Sequence, residues 1–109
     1  MELKKKELTS KGIRFSFEED GTEVARVRLY LIENDLHERP YGLIEDIFIE
    51  RSSRGIGHGT RMLETLISGA REMGCYKVIA TSRHQRKEVH EFYRKTGFKE
   101  HGKEFRMDL

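Results

Sequence analysis

The stretch "LIEDIFIERSSRGIGHGTRMLETL", residues 43–66, joins a β-rich run, a glycine-rich loop and an amphipathic pattern. The opening run is apolar at both parities apart from Glu45 and Asp46, which is typical of a strand in the middle of a sheet. Apolar residues then recur on one face over about residues 57–73, which predicts a helix that ends at Gly74. The stretch therefore predicts a buried strand that leads through a tight loop into the start of a helix.

The glycine-rich loop holds cations where a helix start usually attracts anions. The chain has 19 acidic residues, yet none lies between Glu50 and Glu64, whereas Arg54, His58 and Arg61 do. Unpaired N–H groups and the helix dipole favour negative charge at this point, and glycines let a phosphate approach the backbone closely. The loop therefore predicts a site for the phosphate of a ligand, with an ordinary basic turn as the alternative. It lacks the G-K-[ST] ending of a P-loop, which disfavours nucleotide hydrolysis.

The rest of the chain completes a mixed α/β (α+β) pattern. Alternation over residues 12–32, on both sides of Asp20-Gly21, predicts a β-hairpin. The run 76–81 predicts a second buried strand, and the helix between it and the first makes the two strands parallel. A second helix is predicted at about 86–96, and the tail 98–109 is expected to form a final strand pair about its central glycine.

Composition limits the class of protein. The length of 109 residues indicates a single domain over 1–109, and a net charge of +2 is too small to indicate a nucleic-acid or membrane surface by itself. There is no apolar run near 18 residues, and the N-terminal sequence does not resemble a signal peptide. The single Cys75 excludes an intrachain disulfide. We therefore expect a cytoplasmic protein with no structural metal, no membrane contact and no strong affinity for nucleic acid.

Two motifs resemble those of a known family. The stretch 49–63 resembles motif A of the GNAT acetyltransferases, R/Q-x-x-G-x-G/A, with Arg54, Gly57 and Gly59 at the defined positions. The stretch "VHEFYRKTGF", residues 89–98, resembles the family's later motif, in which a helix bearing a tyrosine leads to Gly-Phe. The resemblance implies a mostly antiparallel twisted sheet with a central splayed parallel pair and two main helices.

The resemblance also implies an acetyl-CoA-dependent N-acetyltransferase that acts on a primary amine. In that family the loop amides and the helix start hold the CoA pyrophosphate, and the pantetheine arm pairs with the preceding strand. The residues that these roles imply for CoA here are Ile47, Phe48, Ile49, Arg54, Gly55, Ile56, Gly57, His58, Gly59 and Thr60. His58 departs from the family's usual aliphatic residue, and it either adds a phosphate contact or fills a gap.

Acetyl transfer needs a neutral amine, a donor for the tetrahedral oxyanion and a proton for the departing thiolate. The backbone N–H of Ile47 is a possible oxyanion donor, and Tyr93 occupies the family's tyrosine position, with a core aromatic as the alternative. Burial would raise the pKa of a carboxylate toward that of a base. Glu45 is expected to be this base because it lies on the same face of the predicted strand as Ile47 and Ile49. Similar Glu-Asp pairs precede motif A in some aminosugar-phosphate acetyltransferases, so the resemblance implies that Asp46 lies near the acceptor. The alternative is that one of the two carboxylates caps a strand end or pairs with an arginine.

The first strand and two helices usual in the family have no counterpart in residues 1–11. This departure predicts an open cleft for a small-molecule or peptide amine, or a cleft that a second subunit completes in a homodimer. Two other classes stay open. One is a module that binds acyl-CoA without turning it over. The other, less favoured, is a nucleic-acid-binding domain that uses the basic clusters 4–6 and 83–87.

Overall fold

The computed structural model of the protein describes residues 1–50 and 57–109, and within these it contains one sheet and two helices. The sheet order is β1-β2-β3-β4, so sequence neighbours are also neighbours in space. The elements are β1 (Lys11–Glu19), β2 (Thr22–Ile32), β3 (Tyr41–Ile49), α1 (His58–Glu72), β4 (Val78–Ala80) and α2 (Lys87–Lys95). The predicted mixed fold with two helices is confirmed.

The first two strands form the predicted hairpin. β1 and β2 pair antiparallel from Lys11 opposite Leu31 to Glu19 opposite Thr22. The two residues between them, Asp20 and Gly21, have φ values of 50° and 79°. Two successive positive φ values are those of a type I′ turn, whose twist matches that of the flanking strands.

The splayed parallel pair lies at β3 and β4. β3 pairs antiparallel with β2 on one side and parallel with β4 on the other, which confirms its predicted central place. The parallel ladder joins only Gly42–Ile44 to Val78–Ala80, whereas β3 continues to Ile49. The two strands therefore pair at their starts and part toward the end of β3.

The core lies between one face of the sheet and α1. Alternate residues of β2 point into it, which is the period-2 pattern that its sequence predicts. α1 contributes residues spaced three and four apart, and Tyr93 is the one buried residue of α2. The core cluster consists of Ala25, Val27, Leu29, Ile44, Met62, Leu63, Leu66, Ala70 and Tyr93. Because α1 covers this face, the opposite face of β1–β3 carries the polar side chains.

Two expectations about strands are wrong. The tail 98–109 contains no strand, and Phe105, Met107 and Leu109 are exposed. The first arm of the expected hairpin has only Phe98 to bury, and that side chain already packs against the core. A lone hairpin without an apolar face is marginal in water.

No helix of the described residues is long and apolar enough to span a bilayer.

The second wrong expectation concerns the run 76–81, which is not fully buried. β4 covers only Val78–Ala80 and is an edge strand, so Ile79 is exposed to 36%. Its apolar character therefore does not reflect cover on both faces.

Candidate functional site

A cleft of about 440 Å³ lies between the end of β3 and the start of α2. We call it the β3–α2 cleft. Its lining residues come from β2, β3, α2 and the residue before α2. They are Arg26, Asp46, Ile47, Phe48, Ile49, Arg86, Glu88, Val89 and Phe92. Four residues that the sequence assigned to the site, 46–49, therefore meet in one cleft.

A β-bulge shapes the β3 wall of this cleft. Glu45 lies opposite Arg28 and Phe48 lies opposite Arg26, so two residues of β3 face the single residue between those arginines. The first of the two, Asp46, has a φ of 55°, which is uncommon for a residue other than glycine. An extra residue reverses the in–out alternation beyond it. The expected shared parity of Glu45 with Ile49 is therefore wrong, and Glu45 shares a face with Phe48 instead.

Asp46 is held by two arginines of β2. Arg26 Nε donates to Asp46 Oδ2 over 2.9 Å, and Arg28 Nη1 donates a short hydrogen bond to the same oxygen. The hydrogen bond from Arg26, followed by the charges of both arginines, holds the pKa of Asp46 below its usual value, against an opposing effect of burial. Asp46 is therefore ionised at neutral pH, which suits a ligand for a cation better than a base.

Glu45 does not line the cleft. Its side chain is exposed, on the sheet face away from α1, as is that of Asp46. The expectation of a buried carboxylate at this point of β3 is therefore wrong. The alternative, a carboxylate paired with arginine, describes Asp46.

The start of α1 has a left-handed glycine and a carboxylate that the sequence did not predict. Gly57 is the N-cap, with a φ of 88°, and the first turn of α1 contains no acidic residue. However, Glu19 Oε1 of the hairpin lies 3.0 Å from His58 Nε2, so a distant acid reaches the helix start. His58 fills the gap against the hairpin, and its ring also meets Phe17 edge to face.

Close packing explains one glycine of the motif. A Cβ on Gly59 would lie 3.3 Å from the ring of Phe92, so this glycine allows α1 and α2 to approach closely. Thr60 is exposed beside it. Arg54, Gly55 and Ile56 lie outside the described residues.

Tyr93 belongs to the core and does not line the cleft, although its neighbour Phe92 does. Its ring centroid lies 5.9 Å from that of Phe92 and 5.3 Å from that of Phe98. Burial raises the pKa of Tyr93, and the charge of Arg86 opposes this effect. The hydroxyl therefore stays protonated at neutral pH and can donate a hydrogen bond.

Arg26 and Arg28 are the site residues that sequence reasoning missed. Alternation along β2 predicts that they share a face. Their contact with Asp46 depends on the β2–β3 register and on the bulge, and the sequence contains no clear signal for either.

Comparison with known families agrees with this architecture. The family described as "Acetyltransferase (GNAT) family" matches residues 2–98. The chain belongs to the GNAT acetyltransferase family. The matched range includes both the loop motif and the tyrosine motif that the sequence suggested.

Curated relatives within the family include enzymes named for an aminosugar phosphate. A glucosamine 6-phosphate N-acetyltransferase of Trypanosoma brucei brucei is 39% identical over 71 residues, which are 65% of this chain and 46% of that protein. A probable glucosamine 6-phosphate N-acetyltransferase 2 of Oryza sativa subsp. japonica is 39% identical over 56% of this chain and 35% of its own length. The matched region spans less than half the length of these relatives.

Solved structures share the fold over most of this chain. A Trypanosoma brucei acetyltransferase has a TM-score of 0.82 and 32% identity over 90% of this chain and 69% of its own. A glucosamine-6-phosphate N-acetyltransferase from Arabidopsis thaliana has a TM-score of 0.75 and 28% identity, over 90% of this chain and 65% of its own. The splayed sheet with its two helices is therefore the shared architecture.

Proposed function

We propose that the protein transfers an acetyl group from acetyl-CoA to a primary amine of a small molecule. The observation that carries this proposal is the parting of β3 from β4 beside a bulge, next to a helix that starts at a left-handed glycine. Beyond Ile44, residues 45–48 of β3 have no partner in β4. An extended arm such as pantetheine can add to that edge through backbone hydrogen bonds.

The reaction forms an amide bond and breaks a thioester, while the amine loses a proton and the thiolate gains one. Asp46 stays ionised and lines the cleft, so it binds the acceptor as an ammonium group before that group loses its proton. The backbone N–H of Ile47 is the proposed donor to the oxyanion. Tyr93 stays protonated and is the proposed donor to the departing thiolate. The base is Glu45 or a water molecule that Glu45 orients, because Glu45 is exposed and adjacent to Asp46.

The acceptor that we propose is an aminosugar phosphate. The names of the curated relatives support this class. Asp46 Oδ1, to which no described residue bonds, can accept a hydrogen bond from the amine. The sheet face opposite α1 is the proposed acceptor side, and a homodimer that completes it stays a prediction. The cytoplasmic location also stays a prediction.

Calorimetric titration with acetyl-CoA tests the donor site, with dephospho-CoA and NAD as controls. We expect micromolar binding of acetyl-CoA and no binding of NAD. Gly57→Glu places a carboxylate beside the proposed pyrophosphate position and should abolish binding. Gly57→Gln is the matched control, because it carries the same bulk and the same strain at positive φ without the charge. Equal affinities of the two variants would contradict the assignment of the loop and helix start to CoA.

A further inference from the structure

A row of charged side chains crosses the open face of the sheet. Arg14 of β1 lies directly opposite Arg28 of β2, and Arg28 lies opposite Glu45 of β3. Paired residues of neighbouring strands project from the same face, and like charges directly opposite one another destabilise a sheet. Glu23 pairs with Arg14 and Asp46 pairs with Arg28, which offsets this repulsion and leaves the remaining guanidinium donors directed at the open face.

A second cleft, of about 240 Å³, lies beside this arginine pair. We call it the β1–β2 cleft, and it is lined by Gly12, Ile13, Arg14, Arg28 and Tyr30. The ring of Tyr30 lies over Gly12, since a Cβ there would meet the ring at 3.0 Å. The cleft thus combines two guanidinium groups with an aromatic ring, on the face that α1 leaves uncovered.

The two arginines keep donors for a ligand. Arg14 Nη2 lies 2.5 Å from Glu23 Oε1, and Arg28 Nη1 bonds Asp46. A guanidinium carries five N–H donors, so each arginine retains several beyond these contacts. Their side chains are 43% and 36% exposed, and solvent or a ligand can reach both.

Arg28 also connects the β1–β2 cleft with the β3–α2 cleft. It bonds Asp46, whose carboxylate lines the β3–α2 cleft. Arg26 and Arg28 form a clamp on Asp46, since both bind its Oδ2, and no described residue is bonded to Oδ1. Arg28 contacts Asp46 directly, and Arg14 lies opposite Arg28 on the next strand, about 4.8 Å further. A cation site and an anion site therefore lie side by side.

We propose that Arg14 and Arg28, with Tyr30 beside them, bind the phosphate group of the acceptor while its amine binds Asp46. Paired guanidinium forks match a phosphate monoester in both geometry and charge. The assignment rests on the proposed function, because it names the acceptor's anionic group for the same site. It selects acceptors that carry an amine and a phosphate over amines without a phosphate.

Equilibrium binding separates this assignment from the acetyl-transfer activity. Calorimetry would compare glucosamine 6-phosphate with glucosamine on the wild-type protein, on Arg14→Gln and on Arg71→Gln. Arg71 is an exposed arginine in the last turn of α1, so its substitution makes the same charge change away from the clefts. We expect the wild type to bind the phosphate ester at least tenfold more tightly than glucosamine. Arg14→Gln should lose most of that preference, and Arg71→Gln should keep it.

Three results would overturn the subsite: equal wild-type affinities for the two sugars, an undiminished preference in Arg14→Gln, or no binding of either sugar. Turnover with acetyl-CoA is then measured on the same three proteins. A phosphate preference that depends on Arg14, without any turnover, would retain the subsite and contradict the proposed acetyl transfer. Equal turnover of the two sugars, unchanged in Arg14→Gln, would support acetyl transfer and contradict the subsite.

Discussion

The two halves of β3 have the same β-rich sequence character but different surroundings. Both halves pair with β2, whereas the β4 ladder reaches only residues 42–44, and Ile44 is 2% exposed. Residues 45–49 follow the end of the β4 ladder, contain the bulge and line the β3–α2 cleft from Asp46 onward. We therefore expect the first half to contribute mainly to stability and the second half to present backbone and carboxylate groups to a ligand.

Truncating one side chain in each half of β3 tests whether the two halves have these different roles. Ile44→Ala removes a fully buried side chain and should lower the free energy of unfolding by about 2–5 kcal/mol. Phe48→Ala removes a half-buried ring that Arg26 covers at 4.5 Å, and it should cost less than about 1.5 kcal/mol. Urea unfolding measures both changes, and calorimetry measures acetyl-CoA affinity in the same samples.

The affinities should show the reverse order. Phe48→Ala should weaken acetyl-CoA binding severalfold, because Phe48 lines the cleft. Ile44→Ala should leave the affinity of the folded fraction unchanged. A loss of affinity in Ile44→Ala that matches or exceeds that in Phe48→Ala would contradict the division of β3 into a stabilising half and a binding half.

Tyr93 combines the two roles, because it packs in the core and is also proposed to donate a proton at the thioester. Tyr93→Phe keeps the ring and should change stability by less than about 1 kcal/mol. If its hydroxyl is the proton donor, kcat should fall about a hundredfold while acetyl-CoA affinity stays the same. Steady-state kinetics and calorimetry separate the two effects.

Two other results for Tyr93→Phe are informative. A parallel fall of kcat and affinity would indicate that Tyr93 only packs against its neighbours. Intact binding without any acetyl transfer, in wild type and variant alike, would favour a module that binds acyl-CoA without turnover. Phe98→Leu is a matched control, since it alters the adjoining ring contact without touching a hydroxyl.

The smallest expected effect on stability comes from the charge of Asp46, which lies at the bulge between the two halves of β3. Asp46→Asn keeps a residue type that tolerates positive φ and removes the carboxylate that Arg26 and Arg28 hold. Because the pKa of Asp46 is lower in the folded protein, its ionisation stabilises the fold above the usual aspartate pKa of about 3.9. That contribution is lost as the pH falls through the lower, folded value.

Unfolding of wild type and Asp46→Asn between pH 7 and pH 2 measures this contribution. The side chain is 43% exposed, so solvent screening should keep the difference below about 1 kcal/mol. The difference should stay constant from neutral pH to about pH 4 and shrink below it. A difference that grows on acidification would contradict the ionised clamp.

Local sequence patterns predicted most of this fold. The hairpin, the central place of β3, its parallel partner and both helices follow from alternation, turn residues and helical spacing, since each signal lies within a few neighbouring residues. The tail 98–109 was wrongly predicted to pair. Alternation predicts only that a segment can extend, whereas pairing also needs an apolar surface to cover.

The candidate site was less accessible to sequence reasoning. Residues 46–49, which the sequence assigned to the site, line one cleft, and their role stays a prediction. The predicted face of Glu45 was wrong because a bulge has no clear sequence signal. The contacts of Asp46 with Arg28 and of His58 with Glu19 join distant parts of the chain. Such contacts depend on strand register and helix docking, which no single segment determines.

The turn at Asp20 and Gly21 also affects the order in which the strands pair during folding. It joins two strands that pair over nearly their whole length, so their contacts close short loops and form within about 1–10 μs in isolated hairpins. The parallel pairing of β3 with β4 must instead wait until the chain between them has folded back through α1. We expect the hairpin 11–32 to order first during folding and the walls of the β3–α2 cleft to assemble last.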